Sequence, residues 1–429
     1  MRITRKRSLT ARHVTSTDYC SPYRPVAVRL ANRVGRVLSQ LGIRADLSES
    51  SLLYEARRRT GLQDFGEEAF RNPLSVLLDS IEREARLTPV GRLITRERLL
   101  GVLHNRLRAE KLYREHPEIL AQELAPPVVI TGLQRTGTTL LHRLLASDPQ
   151  NRSLLSWEAI NPAPFLGAEK KSEDPRIEVA KMSERALSYL APDFFAIHPV
   201  EADAPEEDVL LLDYAFLSTV PEATLRVPTY SRWLEEQDHR PAYEYMKRLL
   251  KLLQWQRAAK RWVLKSPHHL EFLDTLLEVF PGAKVIQIHR DPCTTLASFC
   301  SMIAHGRGVF SDDVDPLEVG RNWYRKVRRM ISRCIEVREK ASPDLFLDVA
   351  YHDLLHDPMR EVERIYTFLD IPLTEAVRRS MEKTLKVQVQ HRYGSHRYQL
   401  EDFGLDRDTI KKDFYDYRLR FAISKEESL

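Results

Sequence analysis

The stretch VVITGLQRTGTTLLHRLLASDP, residues 128–149, constrains the fold of this chain more than any other. A β-branched run, VVIT, leads into a tight loop, GLQRTGTT, and out into a segment with apolar residues at helical spacing. Three later segments, RWVLKS, AKVIQIH and DLFLDVAY, repeat the texture: each is short, apolar and followed by a helix-like segment. Apolar strands alternating with helices predict an α/β fold, a parallel sheet flanked by helices on both faces.

The loop is P-loop-like. Gly132 and Gly137 stand at the spacing of GxxxxGK(S/T) and Thr139 is in place, but Thr138 occupies the lysine position. A helix starting near Gly137 presents its free N–H groups to the loop and, with its dipole, makes an anion site. Thr136, Thr138 and Thr139 add hydroxyl donors, and Arg135 adds a planar cationic fork suited to sulfate or phosphate oxygens. A triphosphate with Mg²⁺ needs the missing lysine, so the loop fits a different anionic group better.

Two more strand ends carry polar residues. AKVIQIHRDPCTTLASF reads as a buried strand, with Arg290 leaving its carboxyl end and Ser298 about two turns into the next helix. Both can reach one phosphate. The tripeptide HRD at 289–291 is not a kinase catalytic loop, because that pattern needs Asn where Leu296 stands. In RWVLKSPHHLEFL, Lys265 ends a strand and can neutralise charge on a bridging oxygen, and His268 is a candidate general base. The neighbours His268 and His269 diverge by roughly 100° on a helix and make a poor metal site.

Three regions are expected: a flexible basic tail over 1–25, a helical region over 26–118, and an α/β domain over 119–429 with a helical, aromatic-rich insertion at about 160–258. In the helical region LSESSLLYEARRRTG carries a Ser cap and a terminal Gly. The insertion's aromatics are expected mostly in the core, with some free to line an apolar acceptor pocket. A net charge of +5 over 429 residues fits a small anionic ligand better than nucleic acid. No apolar run reaches the 18 residues a membrane span requires, and no apolar segment of a secretory signal follows MRITRKR. The four cysteines form no CxxC pair, which suggests free thiols in a reducing cytoplasm.

Together these motifs resemble the sulfotransferases that use 3′-phosphoadenosine 5′-phosphosulfate (PAPS), specifically a bacterial branch with an arginine loop. The resemblance covers residues 127–420, and 26–118 resembles the helical extension of bacterial relatives. RTGTTLL looks like the 5′-phosphosulfate loop, which implies donor contacts from Arg135, Thr136, Gly137, Thr138, Thr139 and Leu140. HRDPCTTLAS looks like the 3′-phosphate segment, which implies Arg290 and Ser298. DVAYHDLLHDP is similar to the family's Y-x-D-L segment, placing Tyr351 beside the adenine. HRYGSHRYQLEDFGLD resembles the bacterial C-terminal loop and offers Arg392 and Arg397 to the 3′-phosphate.

For the base the resemblance offers two positions. Some members use a histidine soon after a strand-end lysine, here His268 with one extra residue. Others use a glutamate a little after the loop helix, here Glu158 in NRSLLSWEAINP, which the Trp-flanked setting slightly favours. Glu206 and Glu207 are expected to cap a helix, with the acceptor as their other option. The implied activity is metal-free, in-line transfer of a sulfuryl group from PAPS to a hydroxyl of a small-molecule or lipid-like acceptor. A P-loop kinase or NTPase and a non-catalytic nucleotide-binding protein are the alternatives, and a homo-oligomer is left open.

Overall fold

The four apolar runs fold as strands where the sequence places them. The computed structural model describes residues 12–15, 17–167, 173–258, 260–387 and 394–424. Seven strands occur among the described residues: β1 Arg12–Thr15, β2 Val128–Gly132, β3 Asn151–Ser153, β4 Arg261–Lys265, β5 Lys284–His289, β6 Phe346–Ala350 and β7 Gly394–Arg397. Five of them form one parallel sheet in the order β3-β4-β2-β5-β6.

β2 lies at the centre of that sheet and is buried along its whole length. Ile130 sits opposite Lys265, and Gly132 opposite Ile288. The pairing leaves no room at Gly132, where an added Cβ would lie 2.5 Å from the Ile288 carbonyl oxygen at a φ of +149°. The carboxyl ends of β2, β4, β5 and β6 therefore come level. They deliver the loop after Gly132, Lys265, Arg290 and Tyr351 to one edge, where open parallel sheets bind ligands. Apolar residues of β2, β4 and β5 pack one sheet face against Leu141, Leu144 and Leu145 of the helix Thr138–Leu145.

The helical region contains Val26–Gln40, Glu49–Thr60, Arg71–Glu84 and Pro89–Glu115. The Ser48 hydroxyl caps Glu49–Thr60 by accepting from the Ser51 N–H, and Gly61 ends that helix at a φ of +70°. The insertion is helical, from Pro175–Leu190 to Arg240–Gln256. Its Phe195, Tyr214, Phe216, Tyr230, Tyr243 and Tyr245 are buried in the core. Three buried thiols, Cys293, Cys300 and Cys334, and the exposed Cys20 are all unpaired.

The expected flexible tail is corrected in part. Arg12–Thr15 form β1, which pairs in parallel with β7, and Val14 and Tyr19 are buried. The edge strand β3 is also new. Its three residues, NRS, carry no apolar signal and take their extended form from pairing with β4.

Candidate active site

Arg135 is the hub of the site. Its backbone adopts a φ of +68°, an uncommon conformation for a residue with a side chain. The loop turns there, and the side chain crosses to two other elements. Nε donates to Ser298 Oγ at 3.2 Å, and Nη1 donates to the Ile197 carbonyl at 3.4 Å. The Arg135 carbonyl in turn accepts from Arg290 Nη1 at 2.7 Å. The Arg290 guanidinium lies 3.8 Å over the Tyr351 ring. That ring also closes on the loop, since a Cβ on Gly137 would lie 3.3 Å from Tyr351 Cδ2. The loop arginine, the strand-end arginine, the helix serine and the tyrosine thus form one connected group.

The loop threonines divide their roles. Thr136 is buried, and its hydroxyl donates to the Leu133 carbonyl at 2.7 Å, shaping the loop from within. Gly137, at a φ of +84°, is the N-cap of the helix Thr138–Leu145. Thr138 is buried, Thr139 is exposed and Leu140 is half-buried. The Leu140 N–H donates to the Gly137 carbonyl at 3.0 Å, and the helix start ahead of it suits an anion.

Lys265 stands beside this loop. Ser266 N–H donates to the Ile130 carbonyl at 3.2 Å and Thr131 Oγ1 donates to the Ser266 carbonyl at 2.9 Å, locking the ends of β4 and β2 together. Lys265 Nζ lies 2.7 Å from Glu207 Oε1. Glu206 accepts from the Glu207 N–H at 2.8 Å. Burial pushes the Glu206 carboxyl above the usual carboxylate range, against the pull of the Lys265 charge and that hydrogen bond. The adjacent Asp208 is fixed by His269, whose Nε2 lies 3.0 and 3.1 Å from its two oxygens, while Tyr243 Oη lies 2.8 Å from His269 Nδ1. All three residues are buried.

His198 belongs to the same neighbourhood. Burial, together with the Arg135 and Lys265 charges, pulls its imidazole down to about 4, while Glu207 acts in the opposite direction. Sequence reasoning missed it because it lies in the insertion, outside any strand-end motif. Its one signal is its place at the head of HPVEADAPEED, the segment that supplies Glu206 and Glu207. His396 was missed as well: its Nε2 lies 2.7 Å from Ser301 Oγ, one helical turn past Ser298. Burial and the Arg135 charge hold His396 down to about 3.

The two expected bases are both buried and held by other groups. Glu158 is 2% exposed and ion-paired with the equally buried Arg152, Oε1 to Nη2 at 2.8 Å. Its other oxygen accepts from the Leu155 N–H at 3.1 Å, so the carboxylate caps the short helix Ser156–Ile160. Arg152 lies over the Trp262 ring at 4.5 Å, three residues back along β4 from Lys265, and holds Glu158 beside the sheet. His268 is buried with Nδ1 3.2 Å from Thr219 Oγ1, and its ring packs 4.7 Å from that of Phe272 and 5.6 Å from that of His239. Burial keeps it neutral, well below the usual imidazole range. It faces an aromatic cluster because the extra Pro267 starts a tight 3-10 turn that carries the ring past the strand end.

Arg397 is exposed on β7, next to the inward His396, and Arg392 lies outside the described residues. Among the described residues no group of His, Cys, Asp and Glu can hold a metal ion.

The sulfotransferase family model matches residues 126–375, more than half of the chain. The crystal structure of sulfotransferase STF1 from Mycobacterium tuberculosis superposes with a TM-score of 0.76 at 33% identity, covering 86% of this chain and 98% of that one. Sulfotransferase STF9 from Mycobacterium avium superposes with a TM-score of 0.80 at 29% identity, covering 90% and 99%. The omega-hydroxy-beta-dihydromenaquinone-9 sulfotransferase Stf3 of Mycobacterium bovis is 32% identical over 262 residues, which span 57% of this chain and 63% of that protein.

Proposed function

Since the chain belongs to the sulfotransferase family, we propose that it moves a sulfuryl group from PAPS to the hydroxyl of a small-molecule or lipid-like acceptor. The observation that carries the reading is the single connection through Arg135 of the loop, Ser298, Arg290 and Tyr351. That group combines an anion site, a second cation with a hydroxyl for a 3′-phosphate, and an aromatic ring for the adenine. The relative named for an omega-hydroxy menaquinone derivative supports a lipid-like alcohol.

In this reading a base takes the acceptor's hydroxyl proton as its oxygen attacks sulfur. The bond from sulfur to the bridging oxygen of the donor breaks, leaving 3′-phosphoadenosine 5′-phosphate and a sulfate ester. Arg135, the first-turn N–H groups and Lys265 stabilise the charge that grows on the equatorial and bridging oxygens. Protein donors meet that charge, so the reading assigns no metal to the reaction. We assign the base to Glu206, whose raised carboxyl lies next to the Lys265–Glu207 pair, in place of Glu158 and His268. The four unpaired thiols agree with a cytoplasmic setting.

The test is transfer from sulfur-labelled PAPS to a panel of alcohols that includes omega-hydroxylated isoprenoid quinones. Labelled ester that is lost in Arg135→Ala supports the reading. A protein that binds PAPS and labels nothing in the panel is a nucleotide-binding protein, and the reading fails.

A further inference from the structure

The helix Val26–Gln40 carries its apolar stripe on the outside. Val26, Leu30, Val34 and Val37 on the helix, with Leu41 just past it, are 70, 61, 51, 58 and 71% exposed. At 100° per residue these five fall within an arc of roughly 80°. The opposite side holds the helix to the protein. Asn32 Oδ1 accepts from the Val90 N–H at 3.0 Å, and Gly35 approaches so closely that a Cβ there would lie 2.5 Å from Pro89 Cβ. A surface helix ordinarily buries its apolar stripe. Here the small and polar side faces inward, and no described residue covers the stripe.

Charge decides what covers it. Residues 21–45 contain Arg24, Arg29, Arg33, Arg36 and Arg44 and no acidic residue. Arg24 and Arg36 pair with Asp312, and Arg44 with Glu82. Arg29 and Arg33, at the edge of the stripe, are exposed and make no ion pair among the described residues. Two copies meeting through this face would bring arginine rims together with no carboxylate from either helix between them. An anionic bilayer offers both an apolar interior and a phosphate layer at the depth of the arginines.

We propose that this helix seats the protein on an anionic lipid bilayer, the stripe lying in the acyl boundary and Arg29 and Arg33 among the headgroup phosphates. The connection to the site is short. Tyr19 packs edge-on against His305 with centroids 5.9 Å apart, and Arg24 Nη2 donates to the Gly308 carbonyl at 2.7 Å. Gly308 and Ser298 share the helix Pro292–Phe310, ten residues and so about 15 Å apart. A lipid alcohol, if that is the acceptor, would reach the site from the same surface, but the docking stands without that assignment.

The experiment is flotation of the full chain with vesicles of phosphatidylglycerol and phosphatidylcholine, and with phosphatidylcholine alone. Binding should require the anionic lipid. Arg29→Gln with Arg33→Gln should lower partition about 25-fold, at about fivefold for each cation near an anionic surface. Leu30→Glu with Val34→Glu should lower it more than tenfold, with the unfolding temperature unchanged in both double variants. Failure of the wild-type chain to float with anionic vesicles overturns the proposal, as does equal flotation by Leu30→Glu/Val34→Glu. A lipid-free dimer that this variant dissociates also overturns it, by making the face a contact between copies.

Discussion

Lys265 Nζ and Glu207 Oε1 sit 2.7 Å apart at the carboxyl end of β4, the lysine buried and the glutamate open to one side. The pair sets a fixed positive charge next to Glu206, a carboxyl that burial raises above the usual carboxylate range. The proposed base and the cation proposed for the leaving oxygen are therefore held on adjacent elements, and mutation can separate them.

Glu206→Gln should lower kcat by about 10²–10⁴ with donor affinity intact, since the amide accepts no proton from the acceptor. The acidic limb of the wild-type pH–rate profile should lie above the usual carboxylate range, because the base works only when deprotonated and burial raises its pKa. The same raised pKa makes Glu206 a stabilising group below the unfolded carboxyl value, with that contribution lost as pH rises through the folded one. The variant should therefore resist urea better than wild type at neutral pH. Steady-state kinetics showing an unchanged limb in Glu206→Gln would remove it as the base.

Glu158→Gln should do the reverse. Breaking a pair in which Arg152 and Glu158 are 3 and 2% exposed should cost about 3 kcal/mol of stability. The folded fraction should keep kcat within a few-fold. A large loss of kcat at unchanged stability, read by assay and urea titration together, would restore Glu158 as the base.

Arg135→Ala should lower kcat by about 10²–10³, the usual loss for one donor to a developing oxyanion, and Arg135→Lys should retain part of the activity. Arg135→Gly should be equally inactive yet about 1 kcal/mol more stable than the alanine variant, because only glycine adopts a φ of +68° without strain. Equal unfolding midpoints for the two variants would mean the turn holds no such strain.

Adenosine 5′-phosphosulfate, which lacks the 3′-phosphate, should bind about 10- to 150-fold more weakly than PAPS, the worth of a charge-assisted contact. Calorimetry on Arg290→Ala should show that difference largely erased. Equal affinity of the wild-type protein for the two compounds would take the 3′-phosphate away from Arg290 and Ser298.

Acid should destabilise the fold through its buried histidines. Burial is the main cause that holds His142 at about 3, His239 at about 4 and His268 well below the usual range. The unfolded chain protonates each near 6.5, so their contribution is complete above that pH and is lost as pH falls, at up to about 1.4 kcal/mol per unit for each group. Urea midpoints taken from neutral to mildly acid pH should show the decline, and His268→Phe should make it shallower. An unchanged slope in that variant would show that His268 is charged in the fold.

What the sequence made legible was whatever local pattern encodes. The strands β2, β4, β5 and β6 are short apolar runs, and the carboxyl ends of parallel strands must share an edge, so Arg135, Lys265 and Arg290 were expected near one another from the pattern, while Tyr351 came from the family resemblance. The eight-residue step from Arg290 to Ser298 is helix geometry and came through for the same reason. Side-chain direction set by tertiary pairing was not legible. Nothing in NRSLLSWE reveals that Arg152 turns along β4 over Trp262 and takes the Glu158 carboxylate with it. His198 comes near Arg135 and Lys265 through a long irregular segment with no period to follow. β1 and β7, RHVT and GSHR, carry too few apolar residues to be read as strands and exist because each pairs with the other.

That last pairing ties Arg12–Thr15 to the neighbourhood of the site. β7 carries His396 against Ser301 next to the Arg135 loop, and β1 is the strand it leans on. A change that pulls Arg12–Thr15 away removes the strand that β7 and its His396 lean on, although those residues lie more than a hundred positions before the loop. In the proposed reaction, a segment remote in sequence thus bears on how tightly the donor is held.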